Sequence, residues 1–253
     1  MALNDLITVS ATFPSWIKLI PGRRHRPPAG ATVLFPHAGA AAASYRVLAA
    51  ALAAGDDTYI VQYPQRADRL SEPGHHSVHD LAASLFAAAP WGDVAPLTLF
   101  GHSMGAVVAF EFARVAETHG AAVHKLWVSA GPPPCVVAGM PELPTSDDEL
   151  LADIADLGGT DPELLADEEF FELLTTAVRA DYQAFNGYDP SPDVRIGADI
   201  HVLGGHDDHR VATGVLRQWE RHTSGAFALS LYDGGHFYFY DHVDAIAAQV
   251  NAG

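Results

Sequence analysis

Short apolar runs alternate with amphipathic stretches along most of this chain. Thr32–Phe35, Thr58–Gln62, Leu97–Phe100, Lys125–Ser129, Asp199–Leu203 and Ala226–Leu231 are runs rich in Val, Ile, Leu and Phe. That is the pattern of strands covered on both faces. Helical periodicity appears at Ser44–Ala53, Val78–Ala88, Gly105–Glu117 and Val211–Arg221, and again near Val243–Val250. Strand–helix alternation predicts an α/β fold, with a mostly parallel central sheet and helices on both faces. One stretch breaks the pattern. Between about Met140 and Asn186 there is no strand signal, only the acidic helical segments Asp147–Leu157, Pro162–Ala166 and Glu168–Phe185. A helical insertion of this length is too patterned for a loop and predicts a lid over a site. The expected organisation is a core built from residues 1–139 and 196–253, with residues 140–195 as the lid insertion.

The pentapeptide Gly101-His102-Ser103-Met104-Gly105 joins the run Leu97–Phe100 to the helical run that follows. A serine on a tight turn between a buried strand and a helix presents its hydroxyl above the sheet. Glycines two residues to either side relieve the crowding there. Such a hydroxyl needs a base, and the base works best when a carboxylate fixes its tautomer. With this elbow the chain order is Ser, then Asp or Glu, then His. Asp207 and Asp208 follow the strand Asp199–Leu203, and His236 follows Ala226–Leu231 in Asp233-Gly234-Gly235-His236-Phe237. Both positions lie just past strand ends, where a parallel sheet gathers its functional loops. Asp208 is favoured over Asp207, because a turn from Gly205 faces it inward, and Asp233 is read as shaping its own turn. Two backbone N–H donors would complete the centre: Met104 at the start of the helix, and Ala38 in the loop Pro36-His37-Ala38-Gly39-Ala40. His37 and His102 flank this centre and are read as shaping the pocket.

Composition narrows the class. Nearly half of the 253 residues are hydrophobic, which supports a sizeable core. No apolar run has the length of a membrane span, and the first residues carry neither a basic stretch nor an apolar signal core, so a cytoplasmic location is expected. The single cysteine, Cys135, excludes an internal disulfide and reads as a loop thiol. A net charge of −17 argues against nucleic-acid partners. The one basic cluster is Arg23, Arg24, His25 and Arg26, in a proline-flanked segment.

At this point the chain resembles a known family. Phe35-Pro36-His37-Ala38-Gly39, Gly101-His102-Ser103-Met104-Gly105-Ala106, Gly205 to Asp208 and Gly234-Gly235-His236-Phe237 are similar to the landmarks of the type II thioesterases of the α/β-hydrolase superfamily. Arg66 and Arg69 fit the family's arginine pair, and Leu157-Gly158-Gly159-Thr160, Arg179-Ala180-Asp181 and Tyr188 fit its lid. Ala40 stands where the family usually has glycine, and Gln65 replaces the glycine of its Pro-Gly-Arg. The resemblance implies hydrolysis of acyl thioesters held on the phosphopantetheine arms of carrier domains in nonribosomal peptide or polyketide synthesis. It implies editing of misprimed or stalled carriers, or product release. By carry-over, Ser103 is the nucleophile, His236 the base and Asp208 its orienting carboxylate, with Ala38 and Met104 N–H groups holding the oxyanion. No metal or cofactor is called for, since the phosphopantetheine belongs to the carrier-bound substrate, and a monomer suffices.

The stripe Phe170, Phe171, Leu173, Leu174 and Val178 is placed either to line an acyl channel or to pack on the body of the domain. Because carrier domains are commonly acidic, as this chain is, docking is expected to rely on a local patch. Candidates for binding substrate or carrier are His37, Arg66, Arg69 and Phe237, together with the Arg23–Arg26 cluster. The competing readings are a small-molecule carboxylesterase of the same fold, a metallohydrolase drawing on His206-Asp207-Asp208-His209 with His75, His76 and His79, and a non-catalytic carrier-binding protein.

Overall fold

The computed structural model describes residues 13–23 and 29–252. Its sheet has seven strands: β1 (Ile17–Ile20), β2 (Ala31–Phe35), β3 (Asp57–Val61), β4 (Leu97–His102), β5 (Val123–Ser129), β6 (Asp199–Gly205) and β7 (Phe227–Tyr232). They run in the order β1-β3-β2-β4-β5-β6-β7. All neighbours are parallel except β1 and β3, which pair antiparallel from Ile17↔Val61 to Ile20↔Thr58. The six expected strands are therefore present, within a few residues at their ends, and β1 is an addition. It escapes the pattern because it is a four-residue edge strand in which only Ile17 is buried.

Every residue of β2 is buried, which is why it reads as a continuous apolar run. Successive side chains of the central strands serve two different cores. Val33, Leu99 and Val128 pack with Leu81 and Leu85 of α2 (Val78–Ala87) and with Val107 and Phe110 of α3 (Met104–Thr118). Leu34, Phe100 and Trp127 pack with Leu48 and Leu52 of α1 (Arg46–Leu52) and with Ile246 and Val250 of α9 (Val243–Ala252). The sheet is thus clothed on both faces. Helix α3 is buried all round over its first ten residues, Met104 to Ala113, and so anchors the serine turn at the centre of the molecule.

Between β5 and β6 the described chain holds only helices: α4 (Pro134–Val137), α5 (Asp147–Leu157), α6 (Pro162–Leu165) and α7 (Glu168–Asn186). Leu150 and Ile154 of α5 pack with Val178 and Tyr182 of α7 in a small core of their own. The expected helix Val211–Arg221 is instead the short α8 (Thr213–Leu216) followed by a 3-10 turn over Arg217–His222. Its buried residues Leu216, Trp219 and His222 recur every three positions, the period of a 3-10 helix rather than an α-helix. Likewise, a 3-10 turn over Ala42–Tyr45 precedes α1 where one continuous helix was expected. No described helix is long and apolar enough to cross a membrane.

Candidate active site

Ser103 joins β4 to α3 with φ 55 and ψ −123, a conformation rare for any residue but glycine. Its N–H is tied to the Ser129 carbonyl at 2.8 Å, and its own carbonyl accepts from Ala106 at 3.0 Å. The flanking glycines are sterically required. A Cβ on Gly101 would lie 2.2 Å from the Gly105 carbonyl, and one on Gly105 would lie 2.1 Å from that of Phe35. The serine is thereby held above the sheet by packing that admits no other residue on either side.

The loops after β6 and β7 are zipped together. His206 N–H donates to Tyr232 O at 2.8 Å and Asp207 N–H to Gly234 O at 2.9 Å. A Cβ on Gly205 would come within 2.3 Å of the Gly235 carbonyl, so this approach depends on the glycines of both loops. The zipper delivers Asp208 and His236 to one place, although 28 residues separate them in sequence. His236 Nδ1 lies 3.0 Å from Asp208 Oδ2, and its Nε2 lies 3.0 Å from Ser103 Oγ. Asp208 is buried, while Asp207 and Asp233 are exposed. The other Asp208 oxygen accepts from Arg210 N–H at 2.8 Å and Val211 N–H at 3.2 Å. Burial by itself would raise the Asp208 carboxyl, but the His236 hydrogen bond and charge, with the two N–H donors, bring it below the usual carboxylate range. An ionised carboxylate only accepts, so Nδ1 carries the imidazole proton and Nε2 is free to accept from the serine hydroxyl.

Ala38 and Met104 sit in the wall of the same cavity. Neither backbone N–H donates to a protein acceptor among the described residues. Ala40 N–H bonds to His37 O at 3.1 Å, and Gly39 between them has φ +78, the signature of a type II turn. Ala38 N–H shares a rigid peptide plane with His37 C=O, so it points away from that turn. His37 is half-buried and bonded through Nδ1 to the Tyr45 hydroxyl at 2.7 Å. His102 is fully buried, its Nδ1 2.9 Å from Ser129 Oγ, which in turn lies 2.7 Å from the Tyr238 hydroxyl.

Both of these histidines are neutral. Burial, then the neighbours His236 and Arg66, push His37 down to about 3, and burial holds His102 well below the usual range. In the unfolded chain each would titrate near pH 6.5, roughly. Their lowered folded pKa means that the unfolded state binds more protons at mildly acidic pH. Stability is therefore retained above about pH 6.5 and falls as pH drops below it, by at most about 1.4 kcal/mol per pH unit for each histidine. Denaturant midpoints measured from pH 7 to 5 should fall with decreasing pH. Replacing His102 with Phe should flatten the slope, and an unchanged slope would contradict buried neutrality.

The cavity of about 470 Å³ lies between these loops and the helical insertion. Leu143, Ile154, Leu157, Phe170, Leu174 and Val178 make most of its wall apolar. Of the predicted stripe, Phe170, Leu173, Leu174 and Val178 line it, and Phe171 does not. Phe237 also lines it, 4.9 Å ring to ring from His37, and lies so close to Gly159 that a Cβ there would sit 2.5 Å from the phenyl ring.

Two of the candidates for binding substrate or carrier lie inside the fold. Arg66 and Arg69 are buried, 6% and 8% exposed, so neither offers a docking surface, although Arg66 lines the cavity beside Ser103. Arg66 pairs with Asp181 of α7 and donates through Nε to Ala40 O at 3.1 Å. Arg69 donates to Gln62 O at 2.8 Å and to Glu72, and stacks over Trp16 with 4.0 Å from guanidinium to ring centre. Each arginine braces internal loops, so charge reversal is expected to disturb the site from within. Arg23 is exposed, and Arg24 to Arg26 lie outside the described residues. Among the described residues no group of three His, Cys, Asp or Glu side chains is placed to hold a metal ion. His209 instead meets Asp156 of α5 at 2.9 Å.

The sequence reading missed how the insertion grips the loops around the serine. Asp181 accepts from Gly39 N–H at 2.7 Å. Asp153 of α5 receives Tyr182 OH at 2.6 Å and Arg210 at 2.5 Å. Asp181 was marked in the sequence only as part of the lid landmark Arg179-Ala180-Asp181, with nothing to pair it with Gly39, 142 residues away.

Comparison with known proteins places this arrangement. The thioesterase domain family matches residues 32–253. The chain is 57% identical over its whole length to the phenyloxazoline synthase MbtB of Mycobacterium tuberculosis, and spans only 18% of that protein. It is 37% identical to the thioesterase PikA5 of Streptomyces venezuelae, over 93% of this chain and 84% of that one. The structure of BorB, a type II thioesterase from the borrelidin biosynthetic cluster, superposes with a TM-score of 0.82 at 38% identity, covering 95% of this chain and 98% of that one. YbtT, the type II thioesterase of the yersiniabactin pathway, gives 0.78 at 27% identity, covering 93% and 96%. An elbow serine set over a mostly parallel sheet, within a match spanning nearly the whole chain, makes this protein a member of the thioesterase domain family.

Proposed function

We propose that this chain hydrolyses acyl thioesters presented on the phosphopantetheine arms of carrier domains in nonribosomal peptide or polyketide synthesis. The reading rests on the unbroken chain of 3.0 Å contacts from Ser103 Oγ through His236 to Asp208 at the wall of an apolar cavity. Ser103 Oγ attacks the thioester carbonyl while its proton passes to His236 Nε2. The carbonyl oxygen takes up the negative charge between the Ala38 and Met104 N–H groups. Collapse breaks the C–S bond, and His236 returns its proton to the departing thiolate. Water then attacks the acyl-serine, giving a proton to His236, and the acid leaves as Ser103 regains its hydrogen. Asp208 holds the imidazole tautomer and offsets its transient charge.

Residues 140–195 act as the lid, and the cavity's apolar wall suits an uncharged acyl group. The carrier as partner is supported by the pathways in the names of PikA5, BorB and YbtT and by the match to a segment of MbtB. The same acyl group should be offered on a carrier domain, on coenzyme A and as an aryl ester. Both thioesters should turn over, the carrier-bound one with the highest kcat/KM. An aryl ester hydrolysed much faster than every thioester would instead support a small-molecule carboxylesterase.

A further inference from the structure

The turn that carries the Ala38 N–H is fixed from outside the core. Helix α7 crosses above it so closely that a Cβ on Gly39 would stand 2.4 Å from Val178 Cγ2. One turn further along α7, the Asp181 carboxylate receives the Gly39 N–H at 2.7 Å through the same oxygen that meets Arg66. Arg66 then returns to the turn through its Nε, 3.1 Å from Ala40 O, and to its own loop through Pro64 O at 2.5 Å. Asp181 is 6% exposed, so each charge depends on the other. Among the described residues the hydrogen bonds that tie this turn are thus the His37–Ala40 bond within it, those of the Tyr45 hydroxyl with His37, and those of the Asp181–Arg66 pair with Gly39 and Ala40. Of these groups only the Asp181 carboxylate belongs to the helical insertion, while Arg66 reaches the turn from the loop after β3.

We propose that Asp181, braced by Arg66, is a positioning residue that holds the Ala38 N–H in register with Met104, so that seating of α7 sets the oxyanion site. It touches neither Ser103 nor the acyl group and acts through the Ala38–Gly39 peptide. Releasing Gly39 N–H and Ala40 O together would let Ala40 shift, and with it the His37 C=O that its N–H holds, which shares one peptide plane with the Ala38 donor. Displacements of about 1 Å at such a donor lower rates by about a hundredfold.

The inference rests on the reading of Ser103 as nucleophile, and its test separates the two. Wild type, Asp181→Ala and Asp181→Asn would be compared for kcat and KM on one acyl thioester, and for affinity toward two ketones of the same chain. One is a trifluoromethyl ketone that forms a tetrahedral adduct on serine. The other is a plain methyl ketone that binds without an adduct. Asp181→Ala should lower kcat by about 10- to 100-fold with KM nearly unchanged. It should weaken the trifluoromethyl ketone by a similar factor and leave the methyl ketone within about threefold. Asp181→Asn keeps an oxygen acceptor for Gly39 but removes the counter-charge of Arg66, and should recover part of the loss. Equal weakening of both ketones, or a loss in Asn as large as in Ala, would make Asp181 a purely structural residue. Its role would also be purely structural if one variant failed to fold while the other kept the full rate. A wild-type protein that forms no adduct would overturn the reading of Ser103 and this inference with it.

Discussion

Replacing Ser103 by Ala should reduce thioester turnover by at least about a thousandfold, and His236→Ala should do nearly the same. The two losses should not add. Ser103 Oγ and His236 Nε2 are 3.0 Å apart and work as one proton-transferring unit, so the double variant should be about as slow as either single one. Ser103→Ala removes one oxygen from a position whose backbone is tied to Ser129 and Ala106. Its fold and its affinity for a non-reactive substrate analogue should therefore survive. Additive losses from the two substitutions, measured as kcat/KM, would indicate that the side chains contribute independently and that the hydrogen bond between them is incidental.

The second large effect is expected at Asp208. In Asp208→Asn the amide oxygen can still accept from the Arg210 and Val211 N–H groups, which leaves the NH2 facing His236 Nδ1. An NH2 donates, so it favours the tautomer protonated at Nε2, and that nitrogen then cannot take the serine proton. Turnover should fall by about 10³- to 10⁴-fold with the fold intact. The exposed Asp207→Asn is the control and should change kcat/KM by less than about threefold. A loss at Asp207 matching that at Asp208 would mean that overall charge, rather than the imidazole's tautomer, governs the rate.

Much of the site could be read from the chain because its chemistry sits where strands end. Apolar runs located β4, β6 and β7, and the polar residues just beyond them were Ser103, Asp208 and His236. The glycines that permit close approach, Gly101, Gly105 and Gly205, carried their own signal in the sequence. What could not be read was the pairing of charges across the fold. Arg66 and Arg69 follow a strand in a polar, proline-containing stretch and read as exposed. Burial becomes visible only when Asp181 arrives from α7, 115 residues later, and when Trp16 closes over Arg69. Strand β1 was hidden because four residues with one buried position hold too little alternation to register. The 3-10 segment before β7 was hidden because a threefold apolar period is easily taken for a helical one.

The central claim is that Ser103 becomes acylated in the course of turnover. Protein mixed with an acyl thioester and quenched in acid within seconds should gain the mass of one acyl group less one hydrogen, mapped by peptide fragmentation to Ser103. The Ser103→Ala protein should gain nothing. Turnover that continues in Ser103→Ala, or an acyl group found only on another residue, would contradict the account.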